Sequence, residues 1–294
     1  MPKLFHGVIP AMVTPFKNGL VDEEAFRRHI NYLIDGGVHA ILACGTTGES
    51  PTLSHEEHAR VIEISIDEAK GKCPVLAGTG SNSTREAIEM SIHAKKAGAD
   101  GLLLVSPYYN KPTQDGLYQH FLAIAQAAPL PTILYNIPGR CGVEIFPETI
   151  AKLSKLPEIV GVKEATGDLN KMIRTLELCG EDFLVTSGDD GLTLPLLSVG
   201  GDGVISVVAN LVPRVLVDLY ESFIAGNFLK AKELFFQLLP MCRTLFLETN
   251  PICVKHALFL AGRMEAETRL PLTLPKEPVQ EKLKELVKEW RIGY

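Results

Sequence analysis

The chain has 294 residues, 46% hydrophobic and 22% charged, with a formal net charge of −6. Its acids and bases are interspersed, so no basic face argues for nucleic acid, and no apolar run approaches the ~18 to 20 residues of a membrane span. The length suits about two domains of roughly 150 residues, or a single α/β barrel of ~250.

The opening MPKLFHGVIPAMVTPF has no distinct signal-peptide h-region and cleavage site, so a cytoplasmic enzyme is expected. Apolar strand-like runs follow at 7–14 (GVIPAMVT), 40–44 (AILAC), 74–78 (PVLAG), 101–105 (GLLLV) and 131–136 (PTILYN). Three more lie at 158–163 (EIVGVK), 183–188 (FLVTSG) and 203–208 (GVISVV). Helix-period segments separate them. In DEEAFRRHINYLIDGG, for example, Phe26, Ile30, Leu33 and Ile34 share one face. Near-continuous apolar strands alternating with helices indicate a parallel sheet covered on both faces. Eight such units count to a (β/α)8 barrel over 1–224; a doubly wound sheet is the alternative, but it seldom needs eight. Residues 225–294 carry only helical signals and form a C-terminal helical domain. It ends in a stripe of Val279, Leu283, Leu286, Val287 and Trp290 that must pack on the barrel or on a neighbouring subunit. The six cysteines (Cys44, Cys73, Cys141, Cys179, Cys242 and Cys253) are scattered without a C-x-x-C pair, as expected of free thiols in a reducing compartment.

Barrel enzymes carry their chemistry at the C-terminal ends of the strands. Those ends hold Thr46, Thr47 and Glu49, then Tyr108 and Tyr109, then Tyr135, Lys163, Ser187 and Gly188. Lys163 has two readings. It begins a solvated loop or pairs with Glu164, or it is an amine kept neutral by burial so that it can attack a carbonyl. The second requires its pKa to fall from about 10.4 to nearer ~7 to 8, a shift of roughly 4 kcal/mol that desolvation can supply. Tyr135 is either a rim tyrosine or, with the threonines of CGTTGES, part of a hydroxyl chain that gives and takes protons. Gly45 and Gly48 also suit an ordinary strand-to-helix turn capped by a threonine. There is no phosphate loop, dinucleotide fingerprint or nucleophile elbow. HEEH at 55–58 spaces its histidines by three and not by the four of a zinc-protease helix, so neither metal nor organic cofactor is expected.

The motifs GTTGES (45–50), YNIPGR (135–140) and GVKEATG (161–167), in this order and spacing, resemble the pyruvate-dependent class I aldolase family. That family includes the dihydrodipicolinate synthases and the N-acetylneuraminate lyases. SPYYNKP, GLYQHF, SGDDG and GVISV are similar to the synthase branch in particular, and the likeness covers essentially the whole chain. The resemblance implies that Lys163 forms an imine with pyruvate and that Tyr135, Thr46 and Tyr109 relay protons, Tyr109 coming from an adjacent subunit. It implies further that Thr47 holds the pyruvate carboxylate and that Gly188 and the main chain of Ile205 line the site. The acceptor would be L-aspartate 4-semialdehyde and the product 4-hydroxy-tetrahydrodipicolinate, on the route to diaminopimelate and lysine.

Arg140 discriminates within the family: a semialdehyde brings its own carboxylate, which a guanidinium can bind with two hydrogen bonds, and the sialic-acid lyases generally lack an arginine there. Cys141 replaces the more usual hydroxyl residue. The resemblance also implies a homotetramer and a feedback site for L-lysine at Ser50, His55, His58, Asn82, Glu86 and Tyr108. Pro51 stands among these where some inhibited relatives have a small residue. Two other readings are a pyruvate aldolase acting on a longer sugar acid and a non-catalytic barrel that binds a keto acid.

Overall fold

The computed structural model describes residues 3–293; Met1 and Pro2 of the N-terminal stretch and the terminal Tyr294 lie outside them. Eight parallel strands form the sheet: β1 (Gly7–Pro10), β2 (Ile41–Ala43), β3 (Val75–Gly78), β4 (Gly101–Val105), β5 (Thr132–Asn136), β6 (Ile159–Glu164), β7 (Leu184–Ser187) and β8 (Gly203–Ser206). From β2 to β8 each pairs with the next in sequence, and β8 pairs with β1. The ring closes through the bridge between Ala11 and Leu42, with Met12 N–H donating to Leu42 O at 3.0 Å. This is the (β/α)8 barrel expected from eight apolar runs.

Those runs are nearly continuous in apolar residues because both faces of each strand are buried. Ile9, Leu42, Leu76, Leu103, Ile133, Leu184 and Ile205 fill the barrel interior. Their neighbours Val8, Ile41, Val75, Leu102, Leu134, Val162, Val185 and Val204 pack outward against the helices. At the β8–β1 seam, Gly203 lies in register with Gly7; a Cβ on Gly203 would sit 2.0 Å from the Gly7 carbonyl oxygen, so only glycine allows the closure.

Eight helices cover the strands: α1 (Glu23–Asp35), α2 (His55–Ala69), α3 (Thr84–Ala97), α4 (Gln114–Ala127), α5 (Pro147–Leu153), α6 (Leu169–Cys179), α7 (Thr193–Ser198) and α8 (Pro213–Ile224). Local sequence sets where they start. Ser54 and Glu57 form a reciprocal capping box on α2, and Asp22, Ser83 and Thr113 cap α1, α3 and α4. On α1, Phe26, Ile30 and Leu33 are buried and Ile34 half-buried.

Two departures from the sequence reading are instructive. The run 7–14 is a strand only to Pro10, because the Asn210 side chain then replaces the ladder. Its Nδ2 donates to Ala11 O at 2.8 Å and its Oδ1 accepts from Val13 N–H at 3.2 Å. Residues 16–21 form a small hairpin, Phe16–Lys17 against Leu20–Val21, turned by Asn18 and Gly19 at positive φ.

Beyond the barrel come α9 (Phe228–Thr244), α10 (Ile252–Leu260) and α11 (Glu277–Glu289). Leu283, Leu286 and Val287 of α11 are buried, Val279 and Trp290 partly so, in one apolar core continuous with the outer layer of the barrel. α10 is buried along nearly its whole length, which brings the segment before it to the barrel mouth. Among the described residues, no helix is long and apolar enough to cross a membrane.

Candidate active site

Lys163 and Glu164 end β6, and successive residues of a strand face opposite ways. Lys163 turns inward and lies in register with Tyr135 on β5 and Thr186 on β7. Glu164 turns outward, accepting from Asn136 Nδ2 at 2.9 Å and Thr166 N–H at 2.9 Å. The pleat thus rules out a Lys163–Glu164 pair, and so does exposure the solvated-loop reading, since Lys163 is 5% exposed. Its Nζ sits 4.2 Å from the centre of the Tyr135 ring. Burial pushes its pKa down to about 7, against an opposing pull from the Asp190 carboxylate and with some help from the Arg140 charge.

Gly188 is part of the same slot. Its N–H donates to Glu164 O at 2.7 Å, and a Cβ there would come within 2.6 Å of Ala165 Cβ and 3.1 Å of Lys163 Cε. Ile205, buried in the barrel interior, belongs to the same inner cluster as Tyr135. Ser187 is spent on its own turn, donating to Asp189 O at 2.6 Å.

Thr46, Thr47 and Gly48 make one 3-10 turn directly after β2. Tyr135, buried at the end of β5, lines one small hollow together with Thr46. Burial raises the phenol's pKa to about 12, with Thr46 and the Arg140 charge drawing it back down. Thr47 is buried and its Oγ1 accepts from Asn250 Nδ2 at 2.9 Å. Arg140, in the short helix Pro138–Cys141, donates from Nη2 to Asn250 O at 3.2 Å and to Thr249 Oγ1 at 3.4 Å. Thr47 and Arg140 are therefore both held by the segment leading into α10. The Cys141 thiol beside them is buried, which raises its pKa.

A cavity of about 470 Å³ opens between α2, α3 and this mouth. Thr46, Arg140 and Cys141 line it together with Ser50, Pro51, His55, His58, Glu86 and Tyr108. Asn82 stands at its edge, donating to Tyr108 O at 3.1 Å. The Glu86 carboxylate accepts from Ser81 Oγ and lies 3.4 Å from His55 Nε2. His58 Nε2 is 2.9 Å from Gly78 O, and burial lowers its pKa. Among the described residues, no cluster of three or more His, Cys, Asp and Glu is arranged to hold a metal ion. A larger hollow of about 760 Å³ lies at the N-terminal end of β3, away from this chemistry.

One predicted residue is not brought in. Tyr109 is 89% exposed at φ +73° and points its ring at solvent within this chain. The sequence reading missed three others. Asp190 is buried beside Lys163 and accepts from Ser206 Oγ and from the N–H groups of Val207 (3.0 Å) and Val208 (3.2 Å). Its signal was an acid in SGDDG just past a strand end. Asn250 and Lys255 went unread; the available signal was a charged residue in the otherwise apolar ICVKHALFL. Lys255 Nζ meets Glu49 Oε1 at 2.6 Å with both side chains 1% exposed. Burial lowers the ammonium's pKa and Glu49 opposes that.

A (β/α)8 barrel whose mouth aims a desolvated amine, a phenol and a hydroxyl at one point defines an enzyme of the Schiff-base lyase class. The chain belongs to the dihydrodipicolinate synthetase family, whose model matches residues 4–290. It is 55% identical over 284 residues to a 4-hydroxy-tetrahydrodipicolinate synthase of Nitratidesulfovibrio vulgaris (strain DP4), covering 96% of this chain and 97% of that protein. The crystal structure of dihydrodipicolinate synthase from Aquifex aeolicus superposes with a TM-score of 0.96 at 48% identity, over 98% of this chain and 99% of that one. The enzyme from Cyanidioschyzon merolae with lysine bound gives 0.94 at 43%, over 97% and 98%.

Proposed function

We propose that the chain catalyses the condensation of pyruvate with L-aspartate 4-semialdehyde to 4-hydroxy-tetrahydrodipicolinate and water, a step in diaminopimelate and lysine biosynthesis. The observation that carries this reading is the desolvated Lys163 amine over the Tyr135 ring, with Tyr135 in turn facing Thr46. Neutral Lys163 adds to the C2 carbonyl of pyruvate, and loss of water leaves the protonated imine. Removal of a methyl proton gives the enamine, whose C3 bonds to the aldehyde carbon of the second substrate. The amine of that substrate then adds to C2 and displaces Lys163, closing the ring. Tyr135 and Thr46 carry the protons of these steps as a hydroxyl pair. Thr47 and nearby main chain hold the pyruvate carboxylate, and Gly188 and Ile205 shape its slot.

Arg140 binds the semialdehyde carboxylate. Arg140→Ala is expected to raise the KM for semialdehyde at least about tenfold, the scale of one lost charge-assisted pair, with the KM for pyruvate nearly unchanged. A steady-state condensation assay with each substrate varied checks this. Turnover of a longer sugar acid in place of the semialdehyde would move the assignment to the sugar-acid aldolases.

Residues 1–224 act as the catalytic barrel and 225–294 as its helical extension. The exposed, left-handed Tyr109 completes the proton relay of a second copy, within a homotetramer built as a dimer of dimers. Full activity in a verified monomer would remove that role. The enzyme works in the cytoplasm.

L-Lysine is a feedback ligand of the cavity lined by Ser50, His55, His58, Glu86 and Tyr108, with Asn82 at its edge. The Glu86 carboxylate takes the ligand's ammonium. Millimolar lysine is expected to lower turnover and Glu86→Ala to relieve the effect; turnover unchanged by lysine would dismiss it.

A further inference from the structure

The turn after β2 places an acid where its backbone would favour glycine. Glu49 has φ +53°, in the left-handed region that residues bearing a Cβ rarely adopt, and it directly follows Thr46–Gly48. Its N–H donates to Thr46 O at 3.1 Å, so the conformation of Glu49 and the placement of Thr46 are coupled. The side chain is buried and held at two points from a distant part of the chain. Lys255 Nζ on α10 meets Oε1 at 2.6 Å, and the Arg269 N–H donates to Oε2 at 3.0 Å. Lys255 is itself seated, its ammonium 4.1 Å from the centre of the Phe16 ring. One turn earlier in the chain, Asn250 donates to Thr47 Oγ1. A threonine oxygen that accepts in this way has its own O–H left to donate, as a bound carboxylate requires.

We propose that the buried Glu49–Lys255 pair is a positioning device, which holds the turn so that the Thr46 and Thr47 hydroxyls meet pyruvate and the Tyr135 phenol. The C-terminal helices thereby set the affinity for pyruvate without touching it. The inference rests on the reading of Thr47 as the carboxylate site. A purely stabilising role explains the pair poorly, because desolvating two charges offsets most of their attraction and apolar replacements of such pairs are often neutral. What a two-point anchor on one carboxylate does supply is orientation, and small misplacements of a binding group are costly in affinity and rate.

The test is the double variant Glu49→Gln/Lys255→Met in the full-length chain, which removes both charges together and strands neither. Adduct at Lys163 is followed by intact mass after borohydride reduction over a range of pyruvate concentrations. The half-saturating pyruvate concentration is expected to rise about tenfold, while the KM for semialdehyde shifts less than about twofold and the thermal midpoint is held. A change in fold stability alone would not separate the two substrates in this way. If the wild type labels and the double variant labels with the same half-saturation, the positioning role is overturned. If the wild type itself does not label at Lys163, the pyruvate reading falls and this inference with it. Should the double variant not fold, Lys255→Arg keeps the charge but forces a broader group into the slot. It is expected to raise half-saturation about threefold, and an unchanged value overturns the proposal equally.

Discussion

Lys163→Ala is expected to yield a folded protein with no borohydride-stable pyruvyl adduct and turnover lowered by at least about a thousandfold. The substitution keeps the Tyr135 ring and removes the amine above it, which is the nucleophile of the proposed mechanism. In the wild type the rate of adduct formation should climb about tenfold per pH unit below pH 7 and level off above it. The amine that reacts is the neutral one, and its pKa is pushed down to about 7 by burial. A rate that stays flat between about pH 5.5 and 8.5 would show that Lys163 is not the titrating nucleophile. The same burial has a thermodynamic cost. Between pH 7 and the ordinary lysine value of 10.5, the unfolded chain holds a proton that the folded chain has lost, so stability rises with pH across that window. Below pH 7 the cost is fully present, at ~1.4 kcal/mol per unit of depression. Lys163→Met, which keeps the length of the side chain, should therefore melt above the wild type at pH 7. Its advantage should shrink as the pH approaches 10.5.

Tyr135→Phe is expected to lower kcat by roughly a hundredfold to ten-thousandfold, the range for loss of a positioned proton donor. The ring remains under Lys163 Nζ, so the packing at 4.2 Å survives and the fold should too. Adduct with pyruvate should still form, but slowly, which separates this variant from Lys163→Ala. Burial raises the phenol's pKa to about 12, so at working pH Tyr135 is a neutral hydroxyl. In the proposed relay it therefore passes protons along with Thr46 and is not a standing base. Pre-steady-state trapping beside the condensation assay checks both points, and a wild-type rate in Tyr135→Phe would remove Tyr135 from the relay.

Most of the barrel was legible along the chain because its rule is local. A parallel strand covered on both faces reads as a near-continuous apolar run, and eight such runs appear in order. Lys163 could be singled out by the same logic, as a charge at the inner end of a buried strand. The two readings of Lys163 were separated only by the pleat and by the strands on either side. These turn Glu164 out to Asn136 and bring Tyr135 and Thr186 level with the lysine. The ladder substitution by Asn210 after Pro10 was equally out of view, because the two positions lie about 200 residues apart in sequence.

The motifs GTTGES, YNIPGR and GVKEATG name their residues from the chain alone, since the side chains are chosen for chemistry and each sits at the end of a strand. The neighbours that make those residues work do not lie near them in sequence. The Asp190 charge acts on Lys163 from the turn after β7, Asn250 reaches Thr47, and Lys255 reaches Glu49 across 206 residues. Local periodicity records which face of an element is buried. It carries no record of which distant group completes a hydrogen bond or neutralises a charge, because that depends on how the ring of strands closes and where α10 is laid against it.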